Sequence, residues 1–307
     1  MSRVAAIDCG TNSIRLLIAD ISGDNFREVH RDMEIVRLGQ GVDATGQFDP
    51  EAIERTLSAT KKYAELIQSK GAEKVRFCAT SATRDASNRE IFINGVKEIL
   101  GIEPEVIPGT EEAALSFAGA TKELKHTQNP YLVVDIGGGS TEFVFGSEAV
   151  QYARSVDIGC VRMTERHLKQ NPPKPLDIQS AISDIDKAIY SAAALVPLKE
   201  AKTLIAVAGT ATTVAAAALN LKEYDRHAIH LARIPTEKVF EIAQRFSLMS
   251  KEEIAALPYM HPGRVDVIAS GALILSRVML ATGASEFVAS ESDILDGMAW
   301  SLSQSSN

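Results

Sequence analysis

The sequence predicts an α/β protein built from two related halves, and three observations carry that expectation. Strand-type and helix-type segments alternate along the chain, as they do where helices cover a largely parallel sheet. The segment LVVDIGGGSTEFVFG (132–146) repeats the grammar of VAAIDCGTNSIRLLIADI (4–21): a β-rich run, an aspartate, a glycine-containing loop and a second β-rich run. In both copies a glycine stands two residues after the aspartate (Asp8/Gly10, Asp135/Gly137) and a serine five after it (Ser13, Ser140), so the copies lie in register 127 residues apart. A length of 307 residues suits two domains of ordinary size, each able to bury its own core.

Residues 3–8 and 14–20 form the first hairpin, and 28–38 a further strand before the turn-rich stretch GQGVDATGQ. Asp49-Pro50-Glu51 reads as the N-cap, first-turn proline and first-turn acid of a helix. That helix keeps Ile53, Leu57, Ala64 and Ile67 at helical spacing and stops at Gly71. A strand over 74–79, a helix over 87–100 ending at Gly101, a strand over 104–108 and a helix opening with Thr110 as N-cap complete the first half. The second half repeats the order. Its hairpin spans 131–146, a third strand lies near 150–157, and helices follow near 160–170 and 177–196, joined by the proline-stiffened loop QNPPKPL. A strand over 202–208 then runs into an Ala-rich helix; helices over 236–247 and 264–281, a strand near 285–289 and a last helix near 293–303 follow. The expected domains are 1–124 with the C-terminal helix of about 291–307, and 125–290.

The composition, 45% hydrophobic and 23% charged, is that of a globular protein in water. The net charge of −8 argues against a general nucleic-acid binder, which needs a basic face. An anionic substrate must therefore be met by local amides, a few arginines and metal ions. Cys9, Cys78 and Cys160 are far apart and in no CxxC pattern, which fits small buried hydrophobes. The histidines have no metal-ligand spacing. The chain is apolar for only a few residues before Asp8, unlike a signal peptide, and no run approaches the ~18 apolar residues of a membrane span. A cytoplasmic location without membrane or nucleic-acid partners is expected.

The two Asp–Gly–Ser loops carry the chemistry. Glycine lets backbone amides approach a ligand, consecutive amides in a turn make an anion-binding nest, and a hydroxyl adds a donor. A carboxylate at the strand end, Asp8 or Asp135, can hold a divalent cation beside a phosphate. Either loop alone could be an ordinary hairpin turn; the matching register of the pair argues for phosphate binding. AVAGTATTVAAAA offers a third candidate at Gly209 and Thr210, where a strand meets a helix N-terminus with free amides and a positive dipole. It lacks the lysine of a Walker A loop. Arg84 in ATSATRDASN could meet a phosphate bidentately or cap a helix. In PGTEEAAL, Glu111 and Glu112 stand in a first helical turn, where acids favour the dipole, but Ala113 occupies the capping-box position. Arg162, Arg264 and Gly271 stand in further candidate segments; close packing is the preferred reading for Gly271.

Taken together, DCGTNSIRLLI, ATSATRDASN, PGTEEA, DIGGGSTE, GCVRMTE, AVAGTATT and PGRVDVIASGALIL resemble, in order, segments of the exopolyphosphatase/guanosine pentaphosphate phosphatase (PPX/GppA) family. They run from residue 8 to 275. The resemblance implies two ribonuclease-H-like domains of the actin-like ATPase superfamily with the substrate in an interdomain cleft. It also implies hydrolysis of a terminal phosphoanhydride with help from Mg²⁺ or Mn²⁺. By matching position, Glu112 corresponds to the general base, Arg84 to a phosphate-contacting arginine, and Asp135 and Glu142 to acidic residues around the metal and the attacked phosphate. Gly137, Gly138, Gly139 and Ser140 match one phosphate loop; Thr11, Asn12 and Ser13 match the other. Two features depart from longer members: the chain stops at 307 with no room for an HD-type helical domain, and Ser270 stands where members often carry glycine.

The reading that follows is an exopolyphosphatase that releases orthophosphate from inorganic polyphosphate, preferring short chains. Its alternative is a guanosine pentaphosphate (pppGpp) phosphohydrolase. An ATP-dependent small-molecule kinase of the same superfamily and an ATP-driven scaffold are lesser rivals. The expected partners are polyphosphate or pppGpp, with a homodimer as an admissible assembly.

Overall fold

A computed structural model of the chain describes residues 2–124 and 127–304. The chain divides into two compact units, Met1–Gly119 with Ile294–Asn307, and Ala120–Asp293. Residues 1, 125 and 305–307 of the expected domain bounds lie outside the described residues.

In the first unit, β1 (Ser2–Cys9), β2 (Ser13–Ser22) and β3 (Asn25–Ile35) form an antiparallel meander. The third strand starts earlier than expected because the tight turn at Gly23 lets pairing begin at once, with Ser22 opposite Asn25. The one-turn helix α1 (Val42–Thr45) precedes α2 (Pro50–Lys70), which is capped as its sequence indicates. The Asp49 side chain accepts from the Glu51 and Ala52 amides, and Gly71 closes the helix at φ 67°. β4 (Lys74–Ala79) pairs parallel to β1. A short helix α3 (Ser81–Asp85) follows, and α4 (Arg89–Leu100) ends at Gly101. The single helix expected over 87–100 thus has a short neighbour before it; the small polar run ATSATRD has no apolar period to announce it. β5 is only Glu105–Val106. The next helix, α5 (Gly109–Thr121), begins one residue before Thr110. The Glu111 and Glu112 amides bond the Pro108 carbonyl, so Thr110 lies inside the first turn and is not its cap.

In the second unit, β6 (Tyr131–Ile136), β7 (Thr141–Gly146) and β8 (Val150–Val156) repeat the meander. α6 (Cys160–Arg166) is shorter than expected, and α7 (Pro175–Ala193) starts with proline in its first turn. β9 (Thr203–Val207) runs parallel to β6 and passes directly into α8 (Ala208–Ala218). The one-turn helix α9 (Arg226–Ile229), the edge strand β10 (Arg233–Pro235) and the short helix α11 (Lys251–Ala255) gave no sequence signal, being too short for periodicity. α11 follows α10 (Thr236–Leu248). Arg264 sits in a 3₁₀ turn (Pro262–Arg264), and α12 (Ile268–Thr282) starts later than the expected 264. β11 (Glu286–Ala289) closes this unit, and α13 (Ile294–Gln304) belongs to the first.

The sheet orders are β3-β2-β1-β4-β5 and β8-β7-β6-β9-β11-β10. In both, the first three strands are antiparallel neighbours and the next two are parallel to the first. The sequence repeat is therefore a repeat of topology, and both units have the ribonuclease-H-like fold. Alternation along β1 puts Ala5 and Ile7 in one core with Phe77, Phe92 and Tyr63, and Val4 and Ala6 in another with Leu115, Leu295 and Met298. In the second unit, Leu132, Val134 and Phe143 pack with side chains of α7, α8, α10 and α12. No described helix is long and apolar enough to cross a membrane.

Candidate active site

In an open α/β sheet, ligands bind beyond the carboxyl ends of the parallel strands. The candidate loops, Arg84 and Glu112 follow such ends. In the first unit, β1 delivers the 10–13 loop, β4 delivers Arg84, and β5 delivers Glu112. In the second, β6 delivers the 137–140 loop and β9 the Gly209 turn.

The two loops are closed by the same bond: the Gly10 amide donates to the Ser13 carbonyl at 3.0 Å, and the Gly137 amide to the Ser140 carbonyl at 3.0 Å. In the first loop, the Thr11 carbonyl accepts from Gly39, and the Asn12 carbonyl accepts from Val36 and Arg37. In the second, the Gly137 carbonyl accepts from Cys160, and the Gly138 carbonyl from Val161 and Arg162, so the loop carbonyls cap the first turn of α6. Arg162 adds a bond from Nε to the Gly139 carbonyl at 2.7 Å. The Gly138, Gly139 and Ser140 amides donate to no protein group among the described residues. Three neighbouring donors are thereby left available to an anion.

This tie requires Gly159. A Cβ there would stand 2.3 Å from the Gly138 carbonyl oxygen and 2.6 Å from the Gly139 nitrogen, while φ at −141° is open to any residue. Gly159→Ala is expected to displace the loop, with a loss of about 1–3 kcal/mol by overpacking. Urea unfolding and phosphate-release assays on the variant check this; unchanged stability and turnover would contradict the tie.

The repeat breaks at one informative place. Asp8 pairs in register with Arg15, and Asp135 with Glu142. In the first unit, Arg15 Nη2 lies 2.5 Å from Asp8 Oδ2. In the second, two carboxylates face one another on one side of the sheet, as directly opposed residues do. Asp135 is 6% exposed and Glu142 0%, and Glu142 Oε1 accepts from Ser155 Oγ at 2.7 Å. No group of three histidine, cysteine or acidic side chains suited to a metal occurs among the described residues. Mg²⁺ needs none, since it is commonly held by one or two carboxylates together with substrate phosphates and water. The Asp135–Glu142 pair fits that donor set. Asp8, the other expected metal residue, already carries a guanidinium.

The glutamate doublet also separates. Glu111 Oε1 accepts from Arg76 Nη2 at 2.6 Å, and Arg76 also holds Glu105 and Ser301. Glu112 Oε2 accepts from Arg84 Nη1 at 2.7 Å, and the same nitrogen reaches the Ile107 carbonyl at 2.9 Å. Arg84, expected on phosphate, is thus engaged with the expected base.

At the third candidate, α8 opens with Ala208 at φ 65°. The Thr210 side chain packs where a Cβ on Gly271 would stand, 2.6 Å from Oγ1 and 3.3 Å from the Cβ of Cys160, which carries a buried free thiol. Burial pushes that thiol up to about 11. Gly271 therefore serves close packing against Thr210 and Cys160. The Arg264 guanidinium lies against Gly209, donates to Thr213 Oγ1 at 2.8 Å, and stands 5.7 Å from the Tyr224 ring centre. Tyr224 in turn donates to Glu291 at 2.6 Å, and Glu291 also accepts from Arg226 at 3.1 Å. Tyr224, Arg226 and Glu291 stand in no motif, and nothing in the sequence pointed to them. The Ser270 hydroxyl lies 2.6 Å from the Cys160 carbonyl and 2.7 Å from Thr164 Oγ1, so this departure joins α12 to α6.

Comparison with known proteins shows what the chain as a whole is similar to. The sequence model of the Ppx/GppA phosphatase family matches residues 17–305. A Mycobacterium tuberculosis protein named Exopolyphosphatase 2 is 48% identical, over 98% of this chain and 99% of that one. The crystal structure of an exopolyphosphatase-like protein is similar at TM-score 0.94 and 44% identity, covering 98% of this chain and 99% of that one. The Aquifex aeolicus member of the Ppx/GppA family is similar at TM-score 0.82 and 29% identity, covering 100% and 99%.

Proposed function

The chain belongs to the Ppx/GppA phosphatase family, and from that premise we propose that it is an exopolyphosphatase, releasing orthophosphate from the end of inorganic polyphosphate. The observation that carries a phosphoanhydride substrate is the second loop, with three amides open to an anion beside two buried carboxylates. The choice of polyphosphate over pppGpp rests on the full-length relative named Exopolyphosphatase 2.

Phosphoryl transfer through a loose transition state depends on alignment and charge neutralisation more than on covalent chemistry. The loop amides hold the oxygens of the terminal phosphates. Glu112 orients a water molecule and accepts its proton as the water oxygen bonds the terminal phosphorus and the bridging P–O bond breaks. Mg²⁺ or Mn²⁺ held by Asp135 and Glu142 would supply neutralisation of the charge on those phosphates. We assign the metal to this pair and not to Asp8, because Arg15 occupies Asp8.

The three cysteines are buried free thiols, which suits the cytoplasm. A net charge of −8 provides no broad field to hold a long polyanion, so release between cycles and good turnover of short chains are expected. Phosphate release by the purified protein, compared on polyphosphate and pppGpp, tests the substrate. Faster release from pppGpp would overturn it, and phosphate transfer to an added alcohol with none to water would point to a kinase. On a gel, long polyphosphate held in excess should shorten as a ladder. Intact long chains beside free phosphate would contradict the short-chain preference.

A further inference from the structure

We infer that Arg84 is the positioning residue for Glu112, coupling the place of the attacked phosphate to the place of the base. The inference rests on Glu112 being that base. Three observations on the first unit carry it. Arg84 is the last residue but one of α3, a helix only five residues long, which fixes its backbone directly after β4. One nitrogen, Nη1, reaches both Glu112 Oε2 at 2.7 Å and the Ile107 carbonyl at 2.9 Å. These two acceptors flank the Pro108 turn that starts α5, so Arg84 holds the carboxylate and the backbone that carries it. The remaining donors, Nε and Nη2, bond no protein group among the described residues.

A guanidinium is a rigid planar fork, so fixing Nη1 fixes the direction of Nε and Nη2. An anionic oxygen gripped by those donors would stand at a set distance from Glu112. The pairing has little purpose as surface electrostatics, since the Arg84 and Glu112 side chains are only 23% and 12% exposed. Glu111, one residue away, shows the contrast. It is tied to Arg76 within a network that includes Glu105 and Ser301, a set of contacts that joins β4, β5 and α13.

Lysine keeps the charge but not the fork, so it separates the two roles of the position. For Arg84→Lys, kcat should fall about 10²-fold, the scale of a misplaced reacting group, with KM within about threefold. In a Glu112→Gln background the same substitution should add no further loss, because there is no base left to position. Arg84→Ala should recover part of its kcat on addition of guanidinium ion, and only while Glu112 is present. This rescue keeps the test open if the lysine variant folds poorly. A raised KM with kcat retained would show an arginine that serves the phosphate alone and would overturn the inference, as would losses that multiply in the double variant. Near-normal turnover of Glu112→Gln by itself would instead overturn the assignment of the base.

Discussion

Replacing Glu112 with glutamine is expected to lower kcat for phosphate release by about 10²–10⁴-fold, the range for removal of a general base, with KM within a few-fold. The substitution keeps shape and the ability to accept from Arg84, so the helix and the ion-paired neighbourhood stay in place while proton acceptance is lost. Glu111→Gln is the control, because that carboxylate is committed to Arg76. It should cost stability, up to about 1 kcal/mol for a partly exposed ion pair, and little turnover. Steady-state phosphate release and urea unfolding on the two variants distinguish them. If Glu111→Gln loses turnover and Glu112→Gln does not, the doublet has been assigned the wrong way round.

The doublet shows what the sequence could and could not supply. PGTEEA located two acids after a strand, but adjacent residues on a helix point about 100° apart, and only the partners reveal which side each takes. Asp49 and Gly71 were legible because a cap is a local contract between a side chain and nearby amides. The paired loops were legible because the repeat keeps Asp, Gly and Ser in register. Arg84 was legible as following a strand, but not as part of the short helix α3, and its partner comes from α5, 28 residues on, a contact that no local pattern records. The Tyr224–Glu291 bond spans 67 residues and is invisible for the same reason. The edge of α5 was misplaced by one residue because the Pro108 carbonyl, not the Thr110 hydroxyl, receives the first amides.

The divergence between the loops leads to the last expected result. In the first unit the residue opposite the aspartate is Arg15, and the two form an ion pair; in the second it is Glu142, a second carboxylate. Like charges directly opposite on neighbouring strands are unfavourable. An arrangement that costs stability where its repeat partner gains it is expected at a functional site. Asp135→Asn should therefore raise the stability of the metal-free protein while removing nearly all phosphate release. Mg²⁺ or Mn²⁺ should raise the melting temperature of the wild-type protein, because a ligand that binds only the folded state stabilises it by mass action. The same addition should leave Asp135→Asn nearly unmoved. Asp8→Asn should behave in the opposite way, losing stability with its Arg15 pair while keeping the metal-induced shift. Thermal unfolding of the three proteins in excess chelator and in millimolar metal provides the comparison. A metal-induced shift that survives in Asp135→Asn and vanishes in Asp8→Asn would move the cation to the first loop and overturn the assignment to the second.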